Sequence, residues 1–205
     1  MYRDRMLRLL LAGALVMTAP ACGEGDDAGA RPADVPGGGW RTPGCEFNRP
    51  AQYTTVGGRR MPVTPPRLAA VMELIDRTGR ERFADSFAGL EVDQAKVRAV
   101  VFRVPDAAFD DFIRASAEDT CVVVRDAAHA VSELTTWHDR LVADLPYWSA
   151  RELSITTVGS RHDGSGVEVG TRELERTRQE LLARYGEHAP LVFVEEGPFR
   201  PLGSG

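Results

Sequence analysis

FAGLEVDQAKVRAVVFRVPDAAFDDFIRASAEDTCVVVRD, residues Phe87 to Asp126, reads as strand, tight turn, strand, helix, strand. Leu90-Glu91-Val92 gives the first strand, Asp93 to Lys96 the turn, Val97 to Val104 the second strand, Asp106 the helix start, and Cys121 to Val124 the last strand. A later stretch repeats this order. Ile155 to Val158 leads through Asp163-Gly164-Ser165-Gly166 to Val167-Glu168-Val169, a helix opens at Thr171, and Leu191 to Val194 closes the unit. Segments of about 40 residues that share one grammar are the mark of an internal repeat. The repeats span 87–126 and 155–197. The expected fold is therefore α+β, with two diverged ββαβ units joined by a helix and preceded by an N-terminal helix.

Working outward, Val97, Ala99 and Val101 alternate with Arg98, Val100 and Phe102, so neither face of that strand is strictly polar and it belongs in the middle of a sheet. Asp106 is placed to cap a helix whose apolar stripe is Phe109, Phe112 and Ile113. A linking helix is expected from Ala128 to Asp144, carrying Val131, Leu134 and Leu141, with Leu145 next in the same stripe and Pro146 as the stop. The helix from Arg172 to Tyr185 carries Leu174, Leu181 and Leu182 and should end at Gly186. Upstream, Thr64-Pro65-Pro66 predicts a helix start with Thr64 as N-cap, and Leu68, Val71, Met72 and Ile75 recur at helical spacing as far as Gly79. Glu81 to Ala88 is ambiguous, a short second helix with Phe83 and Phe87 inward being one reading.

The chain has 205 residues and a formal charge of −5, with mixed signs spread along it. No basic stripe is available for a phosphate backbone, so nucleic acid is not an expected partner. Arg3, Arg5 and Arg8 precede the apolar run Leu9 to Met17, too short to cross a hydrocarbon layer of about 30 Å. With Ala19 and Ala21 after it, residues 1–21 read as a signal peptide. Residues 22–43 are rich in Gly, Ala, Asp and Pro and read as a disordered tether. Residues 44–80 supply a loop or short hairpin and the N-terminal helix, and 81–202 the two-unit domain.

Cys45 and Cys121 follow the export signal into an oxidising compartment, where a disulfide is the expected pairing and two separate buried thiols the alternative. Closing a loop of roughly 75 residues would contribute about 4 kcal/mol in the chain-entropy picture.

Candidate chemistry is sparse. His129 and His138 are nine residues apart, about 180° out of phase on a helix, and cannot share a ligand-bearing face. His162 and His188 read as solvated. His138-Asp139 has no serine on a sharp turn to complete a triad, and neighbouring helical residues point apart. Asp163-Gly164-Ser165-Gly166 is a hairpin turn before it is a nucleophile loop. Glu195 and Glu196 face opposite sides of a strand, and Asp110-Asp111 complement a helix dipole. No catalytic residue, metal ligand or cofactor is expected.

Two resemblances extend this reading. Thr18-Ala19-Pro20-Ala21-Cys22 resembles the lipobox of exported lipoproteins of actinobacterial type, which implies acylation of Cys22 and a lipid anchor on the outer face of the cell membrane, simple secretion being the alternative. The run Ala84 to Asp93, the strand Val100 to Val104 and the helix after it resemble the pro-regions of secreted bacterial serine proteases of the alpha-lytic protease and streptogrisin kind. Leu90 stands where that family has an aromatic residue, and no Gly-Asp-Ser-Gly-Gly stretch occurs in the chain. The pro-region resemblance implies a non-catalytic protein that binds another exported protein, a serine protease in the sharpest form, as chaperone or inhibitor. It points to the tail residues Gly197, Pro198, Phe199 and Arg200 as the contact. A structural envelope lipoprotein without a regulated partner is the other reading.

Overall fold

The computed structural model describes residues 38–47 and 49–197. Cys22, the signal segment, most of the expected tether and the tail residues Pro198, Phe199 and Arg200 lie outside that range.

The fold is α+β. In the first half, β4 (Phe87–Asp93) pairs antiparallel with β5 (Arg98–Arg103), and β5 pairs parallel with β6 (Val122–Asp126) after α2 (Ala107–Ser116). In the second half, β7 (Ile155–Ser160) pairs antiparallel with β8 (Val167–Thr171), and β8 pairs parallel with β9 (Leu191–Glu195) after α5 (Leu174–Tyr185). A register shift breaks the first pair at matching places, between Phe87 and Gly89 and between Ile155 and Thr157. The halves do not share a sheet: one has the order β1-β6-β5-β4, with β1 at Gly39–Arg41, and the other β7-β8-β9.

The strand β1 (Gly39–Arg41) corrects the reading of residues 22–43 as tether throughout. It pairs antiparallel with β6 and packs Trp40 against the first core. Gly39, at φ +127°, lies so close that a Cβ there would meet the Val124 carbonyl. Backbone hydrogen bonds plus one indole order a segment whose composition carries little apolar surface.

α1 (Pro66–Arg82) runs past Gly79 instead of ending there. Gly79 is a packing residue: a Cβ would stand 2.6 Å from Cγ of Phe87. Thr64 does not cap this helix; its Oγ1 accepts from Nε2 of Gln94 at 3.1 Å. Glu81 and Arg82 end the helix and Phe87 already belongs to β4, so no second short helix forms there. The first core packs α1 and α2 on one face of the four-stranded sheet through Ile75, Phe87, Val101, Phe109, Ile113 and Val124. Each such side chain contributes about 1.5–3 kcal/mol on burial. Asp106 caps α2 as expected, its carboxylate accepting from the Phe109 N–H at 2.7 Å.

Between the halves, α3 (Val131–Ala143) is followed directly by α4 (Leu145–Ala150). Pro146 was expected as a stop, yet it sits in the first turn of α4, where its missing N–H leaves no hydrogen bond unmade. α4 brings Trp148 into the second core with Leu134, Leu141, Leu153, Val169 and Leu181.

The other face of the four-stranded sheet is closed partly by the second half. The His162 backbone touches Gly89, and Gly164, at φ +69°, fits against Ala88 and Ala127. The His129 N–H donates to the Gly164 carbonyl at 3.0 Å. Cys45 and Cys121 form a disulfide, holding the 3-10 turn Pro43–Glu46 to the start of β6. Residues Gln52–Val56 (β2) and Arg59–Val63 (β3) form a separate two-stranded hairpin turning at Gly57-Gly58.

Candidate partner-binding edge

β8 is the middle strand of its sheet, and β9 lies at the border with β8 on one side only. Along β9, Leu191 and Phe193 turn to the second core, where the Arg178 guanidinium lies 5.5 Å from the Phe193 ring centre. By strand alternation Val192 and Val194 take the opposite face, opposite Glu168 and Gly170 in the register. Both valines are half-buried. This edge runs straight into Gly197, the last described residue of the expected contact.

The exit from β9 is fixed by Glu196. Its N–H donates to the Thr171 carbonyl at 2.8 Å. Its carboxylate accepts from Oγ1 of Thr156 at 2.5 Å and from Oγ1 of Thr157 at 2.7 Å. Reaching β7 from β9 means crossing β8, and the crossing is made over Gly170, where a Cβ would stand 2.2 Å from the carboxylate. The Thr156 and Thr157 hydroxyls hold the Glu196 carboxyl below its ordinary pKa. Glu195 is exposed at the end of β9, while the Glu196 carboxylate is engaged by the two threonines.

The other candidates resolve one by one. Asp163 and Ser165 form a local turn, with the Ser165 N–H and hydroxyl donating to Oδ1 of Asp163 at 3.0 and 2.6 Å. Burial opposes ionisation of Asp163, but the Ser165 bonds and the Arg161 charge outweigh it and lower the pKa. His129 precedes α3 instead of lying on it, and its Nδ1 stands 3.1 Å from Glu133. His138 and Asp139 do meet, Nδ1 to Oδ1 at 3.0 Å, at the exposed surface of α3. His162 is not simply solvated: its ring meets Phe102 edge-on at 6.0 Å and its Nε2 lies 3.2 Å from Glu91, joining the two halves. Among the described residues no group of three His, Cys, Asp or Glu side chains is arranged to hold a metal ion.

Sequence reasoning missed one cluster. The Asp144 carboxylate accepts from the Tyr185 hydroxyl at 2.7 Å and from Nε of Arg184 at 3.0 Å, and Trp148 Nε1 donates to the Tyr185 hydroxyl at 3.2 Å. Arg184 and then Tyr185 lower the Asp144 pKa. The group joins the α3–α4 junction to the end of α5. Its two pairs, Asp144 with Trp148 and Arg184 with Tyr185, come from parts of the chain 40 residues apart, and no local spacing connects them.

No known protein-family model matches the chain, and no curated protein matches it.

Proposed function

We propose that this chain is a non-catalytic exported lipoprotein, anchored through Cys22, that binds another exported protein. In its sharpest form it is a chaperone or inhibitor of a secreted serine protease, acting as a protease pro-region does. The observation that carries the reading is the border position of β9, whose outer side pairs with no strand among the described residues and whose end leads into Gly197. A border strand offers a row of backbone donors and acceptors to which an extended partner segment adds, while alternate side chains set selectivity. Glu196 keeps that edge in place without occupying it.

The test is removal of Gly197 to Gly205 in a strain that co-expresses an exported serine protease. Inhibition is expected to disappear while the melting temperature stays unchanged; inhibition that survives the deletion takes the tail out of the mechanism. Incorporation of labelled palmitate that is lost in Cys22→Ser checks the anchor separately.

A further inference from the structure

At the base of the β2–β3 hairpin lies a cavity of about 450 Å³, lined by Arg49, Gln52, Arg67, Leu68, Val97 and Thr120 among others. That is the size range of sites that receive a ligand group, about 300–1,000 Å³. Its interior is mainly apolar, with the buried Leu68 and Val97 in the wall. Val97 holds φ at +49°. A β-branched residue is rarely found in that region, where its Cβ crowds the backbone. Such strain is retained where the surroundings over-determine it, often at ligand sites.

The rim is basic. Arg49 and Arg67 line it, and Arg59 and Arg60 lie farther along the hairpin at its turn end, within a chain whose net charge is −5. Arg49 donates to the Asp119 backbone carbonyl, a bond that leaves its charge uncompensated. Arg67 meets the Asp119 carboxylate at 3.1 Å, with both side chains about 70 % exposed, so this pair is weakly held and open to exchange. The hairpin above the cavity pairs with no third strand among the described residues. It presents Tyr53, Val56 and Met61 to solvent, and Phe47, five residues before β2, is also exposed.

We infer that this cavity and hairpin receive an extended acidic peptide segment of a partner protein. One large apolar side chain of the segment fills the cavity over Val97 and Leu68. Its carboxylates meet the guanidiniums of Arg49 and Arg67, displacing Asp119 from the latter, and its backbone lies along β2. Charge selects the partner: the guanidinium fork binds carboxylates in a bidentate manner and rejects a lysine-rich segment. Concavity favours a peptide over a bilayer, because a planar surface cannot enter a recess between a hairpin base and a helix. The site is separate from the β9 edge, and its test is read whether or not the tail deletion changes inhibition.

The experiment is selection from a random peptide library on the full chain, followed by titration of the enriched peptide labelled with fluorescein. Acidic segments with a bulky apolar residue are expected. Arg49→Ala with Arg67→Ala should weaken the enriched peptide about tenfold or more while the urea midpoint stays put, since Arg67 is exposed and Arg49 only half-buried. Raising salt should weaken it further, and exchanging its acidic residues for lysine should abolish binding. Enrichment of neutral or basic peptides, equal affinity for the double variant, or no enrichment at all overturns the inference. So does chain that floats with phosphatidylglycerol vesicles but ignores the library, which would assign the basic hairpin to a membrane surface.

Discussion

Nε of Arg103 stands 2.7 Å from Oδ1 of Asp110, joining the end of β5 to the first turn of α2. Arg103 is 4 % exposed and also donates to Asp126 at the end of β6, so one guanidinium ties two strands and a helix together. Burial works against its charge, yet the hydrogen bonds and charges of Asp110 and then Asp126 prevail and raise its pKa. The corresponding place in the second half is Thr171, paired with Ile155 as Arg103 is with Phe87. There Oγ1 of Thr171 meets Oγ1 of Thr177 on α5 at 2.8 Å and donates to the Ser154 carbonyl at 2.8 Å. Each half thus closes the last residue of its middle strand onto its own helix with a buried polar contact, ionic in one and hydroxylic in the other.

Asp110→Ala is expected to destabilise the protein by about 3 kcal/mol, the size seen when one partner of a buried ion pair is removed. The remaining Asp126 compensates only in part because it is more exposed than Asp110. Arg103→Met combined with Asp110→Leu should recover most of the loss, since no charge is then left buried. Urea midpoints of the three proteins at neutral pH check this. A single substitution as mild as the double one would show that the pair is not held in low dielectric.

Gly79→Ala separates helix propensity from packing. In an exposed helix the change stabilises by about 1 kcal/mol. Here the new methyl would meet the fully buried Phe87 ring, which has α1 on one side and Phe109 on another. Overpacking of this kind costs about 1–3 kcal/mol. The net expectation is loss of stability, measured as a lower urea midpoint at unchanged slope, and a gain would mean that Phe87 yields freely.

The same glycine shows where the sequence stops being legible. The α+β class was readable because strand-forming apolar runs and helical spacing are local, as in Arg98 to Arg103 and Phe109 to Ile113. Gly79 looked like a terminator because propensity sees no partner, whereas the ring that needs the space is supplied by Phe87. Trp40 gave too little apolar signal to announce β1, whose order comes from pairing with β6. Pro146 signalled a stop, and the chain does end one helix there, but the proline also begins another. The border position of β9 and the Asp144 cluster depend on strand order and on contacts across the sequence, which periodicity does not encode. The cavity at the hairpin base was invisible for the same reason, since Arg49, Arg67 and Val97 come from a loop, a helix and a turn far apart in the chain.

Reduction of the Cys45–Cys121 bond removes a cross-link between residues 76 apart. The entropy restored to the unfolded chain corresponds to about 4 kcal/mol. Cys45→Ser with Cys121→Ser should therefore lower stability by about that amount while hydrogen exchange in β7 to β9 is protected until global unfolding. If β1 and the 3-10 turn are held mainly by the bond, their amides exchange first. The Thr42 hydroxyl, which donates to the Thr120 carbonyl at 2.5 Å and accepts from the Val122 N–H at 2.9 Å, opposes that early opening.

Acid should loosen the second sheet at the Glu196 crossing. The hydroxyls of Thr156 and then Thr157 lower the folded pKa of Glu196, so the unfolded chain takes up the proton first as pH falls. The stabilisation is fully present above the unfolded carboxylate value of about 4.3 and is lost as pH falls through the lower folded value. Asp144, lowered by Arg184 and Tyr185, acts in the same direction on the α3–α4 junction. Protection factors of the β7 and β9 amides are therefore expected to fall as pH drops below about 4.3, with those of β5 and β6 lagging. Glu196→Gln keeps a carbonyl acceptor for the threonine hydroxyls but cannot titrate, so its protection factors in β9 should be lower than wild type at neutral pH and flat across the acid range. A variant that retains the acid response would move its origin from Glu196 to Asp144, and Asp144→Asn in the same assay separates the two.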